Sequence, residues 1–267
     1  MSSPVFYSEA LQQQFDADGI VSVPLLSNAE MLSLLNFYET TSAGTTDRKF
    51  HSTMFSSDAA YRKKIDEGIR KIVMEKINRV VNYYRILFAN FIVKEPSVDT
   101  RVGIHQDWNM TAPEITSINV WIPLVDINEQ TGLFYALKGS HGTFRNIRYT
   151  PYEDNAYAEL ENYILDNSTS FEVKAGSALI YHGGLVHFSE PNRSNALRIA
   201  VGCAMIPEGA PNLHFYKRDK NKKHLEVYKV SEEFYHCFNF LDEPKGVLKI
   251  DEIEAYETLP VSNMFKG

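Results

Sequence analysis

The stretch "YHGGLVHFSEPNRSNALRIAVGC", residues 181–203, holds two β-type runs separated by a turn-rich segment. Side chains of a strand alternate between faces, so His187 and Ser189 point the same way. In the second run Arg198, Ala200, Gly202 and Ala204 share one face, while Ile199, Val201, Cys203 and Met205 share the other. The bulky face suits a core. An arginine on a face of small residues leaves room beside itself, and its planar fork matches a carboxylate. This is how a pocket for a small carboxylate looks in sequence.

Upstream, "VGIHQDWN", residues 102–109, sets His105 and Asp107 two positions apart in a strand-like stretch. Strand parity would aim both at one spot, with Ile104 and Gln106 facing away. Such a pair is either hydrogen-bonded and structural or a pair of ligands for one metal. Alone it decides little: with 8 His and 34 Asp plus Glu, chance supplies about one H-x-[DE] match. A second match, His224-Leu225-Glu226, is followed by His236 but by no arginine. The first is followed by His187, Ser189 and Arg198. Two histidines and one carboxylate on a β scaffold match the facial set that holds non-haem Fe(II) with positions left open.

The same β character extends on both sides. "FIVKEP", "TRVGIHQDWN", "TSINVWIPLVDI", "GLFYALKGS" and "SFEVKAGSALIYHGG" are short β-branched or aromatic runs between turn residues. Their spacing indicates a sandwich, barrel or jelly roll. "YTPYEDNAYAELENYILDNS" interrupts them as a Tyr-rich loop and helix. Before them, "SEALQQQFDADG" reads as a helix with a Gly stop and "IVSVPLL" as a strand. "SNAEMLSLLNFYETT" is a helix capped by Ser27 or Asn28, residues 41–59 a polar loop, and "AAYRKKIDEGIRKIVMEKINRVVNYYRILFANF" a long helix. With no linker or repeat, residues 1–267 read as one domain: helices to about 90, a β core over about 91–206, and an extension over about 207–267.

Composition narrows the function. A net charge of -7 argues against nucleic acid as the main partner. The start lacks a secretory pattern, and no apolar run is long enough for a bilayer. Cys203 and Cys237 alone give no disulfide framework, which fits a reducing cytoplasm.

H-x-D, a histidine about eighty residues on, then Ser and Arg two and eleven positions after it, resembles the phytanoyl-CoA dioxygenase-like family of Fe(II)/2-oxoglutarate oxygenases. "FDADGIVSVPLLSNAEM", "VWIPLVDINEQTGLFYALKGSHG" and "HFSEPNRSNALR" extend the resemblance over most of residues 14–206. It implies a mainly β fold with flanking helices, a double-stranded β-helix (jelly roll, cupin-like). It also implies that His105, Asp107 and His187 bind iron at the catalytic centre. Arg198 and Ser189 would hold the distal carboxylate of 2-oxoglutarate, with Asn119 or Trp121 touching the co-substrate. The implied reaction uses O2, releases succinate and CO2, and hydroxylates a small molecule: an amino acid, a natural-product intermediate or an acyl thioester. Asp107 stands where related halogenases carry Gly or Ala, which favours hydroxylation; desaturation or cyclisation stays open. Outside that class stand a β-barrel binding protein without turnover and a cupin-like metalloenzyme without 2-oxoglutarate. Oligomeric state is unreadable.

The remaining singled-out residues carry blander expectations. His182, of opposite parity to His187, is the rival distal ligand, but only His187 has Ser and Arg at the right offsets. His141 reads as a turn residue near the barrel mouth and His51 as a surface loop residue. Lys217, Arg218, Lys220, Lys222 and Lys223 read as a solvated loop, or else a dock for a phosphorylated carrier. Tyr149, Tyr152, Tyr157 and Tyr163 read as packing around the inserted helix, or else a lid.

Overall fold

Capping side chains set where the first helices begin. Helix α1 (Glu9–Asp18) starts at Ser8, whose hydroxyl accepts from the Leu11 amide, and stops at Gly19, whose φ of 76° is left-handed. Strand β1 (Ile20–Pro24) follows at once. Helix α2 (Asn28–Thr41) opens with a reciprocal box between Ser27 and Glu30, so Ser27 is the cap. In this computed structural model residues 4–42, 49–144, 146–151, 156–237 and 241–254 are described. The polar segment 41–59 contains a short strand, β2 (Phe50–Ser52), and residues 43–48 of it lie outside the described residues. His51 is buried in β2 rather than exposed, because β2 pairs with the next long strand.

Helix α3 (Ala59–Ile77) is capped by Asp58, which accepts from the Ala60 and Tyr61 amides. It buries Ile65, Ile69, Val73 and Ile77, one per turn, each side chain contributing about 1.5–3 kcal/mol on burial. The helical spacing read through residue 91 does not hold beyond Ile77. Tyr83 turns the chain at φ 52°, and β3 (Tyr84–Lys94) begins. From Ala89 on, odd residues (Ala89, Phe91, Val93) pack under the helices and Asn90 and Ile92 face the interior, whereas before the register shift Tyr84 and Ile86 join the helix core. A strand covered on both faces reads as one apolar run, which periodicity confuses with a buried helix.

After β3 come β4 (Val102–His105), β5 (Ile118–Pro123), β6 (Phe134–Ala136), α4 (Ser140–Thr143), α5 (Glu161–Asn167), β7 (Thr169–Phe171), β8 (Ser177–His182), β9 (His187–Ser189) and β10 (Arg198–Pro207). They form a six-stranded sheet, β1-β8-β5-β10-β3-β2, and a four-stranded sheet, β4-β9-β6-β7, with antiparallel pairing throughout. The outer face of the larger sheet packs on the helices: Ile199, Val201, Cys203 and Met205 join Leu34, Ile65 and Ile69 in one core. Trp121, Phe134, Tyr181 and Ala200 form a second core between the sheets.

β11 (Leu213–Tyr216), β12 (His224–Lys229) and β13 (Leu248–Glu254) make a third sheet, with helix α6 (Phe234–Cys237) before the last strand. The basic run is only partly a solvated loop. Lys217 is buried and donates to the Tyr149 hydroxyl at 3.0 Å, while Arg218 pairs with Glu226 and Glu243. Lys220, Lys222 and Lys223 are exposed. Glu226 of the second H-x-E match is therefore engaged in an ion-pair network, also with Lys249, and His224 is exposed.

Candidate metal centre

Strand β4 ends at His105, so strand parity is not what aligns Asp107 with it. The β4–β9 register is irregular between Val102 and His105, and past the strand the Asp107 amide donates to the Gly183 carbonyl at 3.1 Å. Gln106 turns the other way, donating to the Phe144 carbonyl and accepting from the Tyr157 hydroxyl. His105 lies opposite His187 of β9, their rings 4.2 Å apart. The carboxylate of Asp107 sits between them, Oδ1 at 3.9 Å from His105 Nε2 and Oδ2 at 3.9 Å from His187 Nε2. Three ligand atoms, one from each residue, fall within 4.8 Å of one another.

The hydrogen bonds settle the tautomers. His105 Nδ1 donates to the Gly103 carbonyl at 2.7 Å and His187 Nδ1 donates to the Leu185 carbonyl at 2.9 Å. A carbonyl only accepts, so each Nε2 keeps its lone pair, and both lone pairs face the Asp107 carboxylate. At 3.9 Å these contacts are too long for hydrogen bonds, which leaves the structural pairing unmade. Burial pushes both imidazoles toward the neutral, ligating form; at His105 the neighbouring His187 and Arg148 add to it, and at His187 Asp107 opposes it. Asn119 Nδ2 donates to Asp107 Oδ2 at 2.8 Å, and Phe134 stacks on the His187 ring at 5.2 Å. The Tyr181 phenol, buried and bonded to Asp107, is pushed well up. This donor set fits an Fe(II)-type ion with open positions.

Beside it lies a small cavity of about 110 Å³, lined by His187, Ser189, Arg198, Trp121 and Lys94. Arg198 is 4% exposed, lies 5.1 Å over the Trp121 ring, and its Nη1 has no hydrogen-bond partner. Burial lowers it to about 9. A buried cation with an orphan donor fits an incoming carboxylate. Lys94 was not read from the sequence as a site residue. Its ammonium donates to Ser189 Oγ at 2.7 Å and to the Ser189 and Glu190 carbonyls. The available signal was parity: Asn90, Ile92 and Lys94 share the interior face of β3. A larger cavity of about 760 Å³ shares His105, Asp107, Trp121 and Tyr181 with the small one.

Other singled-out residues fall elsewhere. His182 Nδ1 accepts from the Gly184 amide and its ring packs on His141 and Phe15, away from the triad. Tyr149 and Tyr157 are buried, and Tyr163 packs beside Tyr157. Tyr152 lies outside the described residues. Among the described residues no helix is long and apolar enough to cross a membrane.

Two facing antiparallel sheets with flanking helices define a jelly-roll, cupin-like protein with a two-histidine, one-carboxylate site. The sequence model of phytanoyl-CoA dioxygenase (PhyH) matches residues 26–200, and the chain belongs to that family. It is 31% identical over 133 residues to a phytanoyl-CoA dioxygenase domain-containing protein 1 of Danio rerio, covering 47% of this chain and 44% of that one. To phytanoyl-CoA dioxygenase 1 of Oryza sativa subsp. japonica it is 27% identical over 124 residues, covering 45% and 44%. The matched segment thus spans less than half the length of these relatives. A solved structure of similar fold is SnoN, a non-heme alpha ketoglutarate dependent epimerase from nogalamycin biosynthesis. It has a TM-score of 0.58 at 16% identity, covering 94% of this chain and 92% of that one.

Proposed function

We propose that this protein is an Fe(II)- and 2-oxoglutarate-dependent dioxygenase that hydroxylates a C–H bond of a small molecule, with release of succinate and CO2. One observation carries the reading: a triad with both Nε2 lone pairs turned to one carboxylate adjoins a buried arginine with an orphan donor. Family membership and the alpha ketoglutarate dependence named for SnoN support it.

In this reading His105, Asp107 and His187 hold the iron, and Asn119 keeps the Asp107 carboxylate turned toward it. Bound iron supplies the oxidising chemistry, in which O2 and 2-oxoglutarate give succinate, CO2 and one oxygen atom for the substrate. Arg198 takes the distal carboxylate of the co-substrate, and Ser189 presents its hydroxyl beside it. Lys94 fixes the Ser189 hydroxyl and adds a second positive charge. Trp121 and Phe134 close the small cavity against water, which strengthens each charged contact inside it. The larger cavity receives the substrate.

Turnover under ¹⁸O2 with Fe(II) and 2-oxoglutarate tests the reading. One labelled oxygen in each molecule of succinate is expected. Unlabelled succinate, or none from metal-loaded, folded protein, overturns it.

A further inference from the structure

Resting on that reading of the adjoining site, we propose that the 760 Å³ cavity takes a largely apolar substrate and recognises it through a hydroxyl group, which Asn90 and Ser52 receive. The size falls within the range that encloses a drug-sized ligand and exceeds what a single amino acid fills. Its far wall is apolar and aromatic: Phe88 and Met110 are buried there, with Met54, Phe55 and Trp108 packed against them. Phe55 and Trp108 meet edge to face at 5.8 Å, which forms a corner against which a ring system can lie.

The charged groups of the lining are engaged within the protein. Among the described residues lining this cavity, Asp107 is the one carboxylate, a proposed metal ligand that accepts from Asn119. Arg101 lies 3.6 Å from Glu190, and Arg148 donates to the Gln106 carbonyl and stacks on the Trp108 ring. Recognition then falls to the neutral polar groups. Asn90, 4% exposed, stands on the interior face of β3. Its Nδ2 donates to Ser52 Oγ, and its Oδ1 meets no donor among the described residues. Ser52 Oγ also accepts from the Met54 amide at 3.3 Å, so both of its lone pairs are used and its proton is left to donate. An acceptor and a donor side by side complement a hydroxyl, which gives one hydrogen bond and takes another. A buried acceptor of this kind is costly until a ligand fills it.

The neighbouring strand keeps that acceptor open. Gly202 of β10 pairs with Asn90 on one side and with Trp121 of β5 on the other. A Cβ at position 202 would stand 3.0 Å from Asn90 Oδ1 and 2.9 Å from Ile92 Cδ1, so a larger residue would crowd the site where the hydroxyl binds. Asn90 lies two strands, about 10 Å, from β5, whose Asn119 holds the Asp107 carboxylate. The hydroxyl and the carbon presented to the metal centre therefore belong to distant parts of one carbon frame.

Pyrenes isolate the hydroxyl, because 1- and 2-pyrenemethanol differ from 1- and 2-methylpyrene by that group alone. Pyrene absorbs where tryptophan emits. Trp108 and Trp121 are the two tryptophans of the chain and both line the cavity, so energy transfer reports occupancy there. The full chain should bind at least one of the alcohols saturably, about 3- to 10-fold more tightly than the matching methylpyrene. Asn90→Leu should erase or invert that preference, since the hydroxyl loses its acceptor. The methylpyrenes should bind this variant at least as well as the unaltered chain, which shows that the cavity is still folded. Binding of neither alcohol in preference to its methyl counterpart by the unaltered protein overturns the proposal, as does a preference that survives in Asn90→Leu. Neither metal nor turnover enters this measurement, so its failure is distinct from failure of the oxygenase reading.

Discussion

Lys94 and Arg198 stand directly opposite each other across the β3–β10 pair, two basic side chains side by side in the protein interior. Like charges facing across strands are destabilising, and burial compounds the cost. Burial, and then the charge of Arg198, lower Lys94 to about 6, while burial lowers Arg198 to about 9. A dicarboxylate relieves both.

The pH dependence follows from the sign of that shift. A lysine with a folded value of about 6 and an unfolded value of 10.5 binds more protons when unfolded throughout that window. The ligand-free protein should therefore gain stability as pH rises from about 6 toward 10.5. Binding of 2-oxoglutarate has the opposite sign: the dianion favours protonated Lys94, so affinity should fall as pH rises above about 6. With metal already saturating, calorimetry in buffers of different ionisation enthalpy should record proton uptake on binding near pH 8. Lys94→Met should abolish that uptake. An uptake unchanged in this variant would remove Lys94 from the co-substrate site.

Arg198→Ala should weaken 2-oxoglutarate by at least about 30-fold, since truncating one partner of a buried charge pair costs about 2 kcal/mol or more. Metal affinity should stay unchanged, because Arg198 is not among the clustered ligands. Direct titration separates the two effects, and a matching loss of metal would contradict the assignment.

Asn119→Ala should lower metal affinity about 10- to 100-fold while leaving the fold intact, because Asn119 orients Asp107 through a 2.8 Å hydrogen bond. Competition with a chelating dye measures it. An unchanged affinity would make Asn119 a bystander.

Much of the site was legible because it depends on one-dimensional spacing. The alternation in β10 correctly separated a core face from the face that carries Arg198. Asp107 was found for an incomplete reason: it converges on His105 through the chain's path after the strand, which parity does not describe. Lys94 was missed because nothing local in "FIVKEP" marks the lysine, and only the pairing with β10 brings it inside. The start of β3 was hidden for a related reason. Asp66 of α3 accepts from the Ala89 amide, and Arg70 donates to the Ile86 and Leu87 carbonyls. These tertiary contacts hold the β3 backbone beside the register shift at Ala204/Met205. Local periodicity carries no trace of them.

Those contacts give a stability test. Asp66 is 3% exposed, so Asp66→Ala leaves Arg70 Nε and the Ala89 amide without their acceptor. A loss of about 3–5 kcal/mol is expected in denaturant unfolding. A loss below about 1 kcal/mol would show that this clamp contributes little.

The most direct measurement is anaerobic. Fe(II) and then 2-oxoglutarate are added to metal-free protein, and the visible spectrum is followed for the weak charge-transfer band of the chelate. A band that saturates with 2-oxoglutarate and is absent in His187→Ala is the expected result. Folded protein that binds neither the metal nor the diacid would contradict an oxygenase and leave a jelly-roll binding protein in its place.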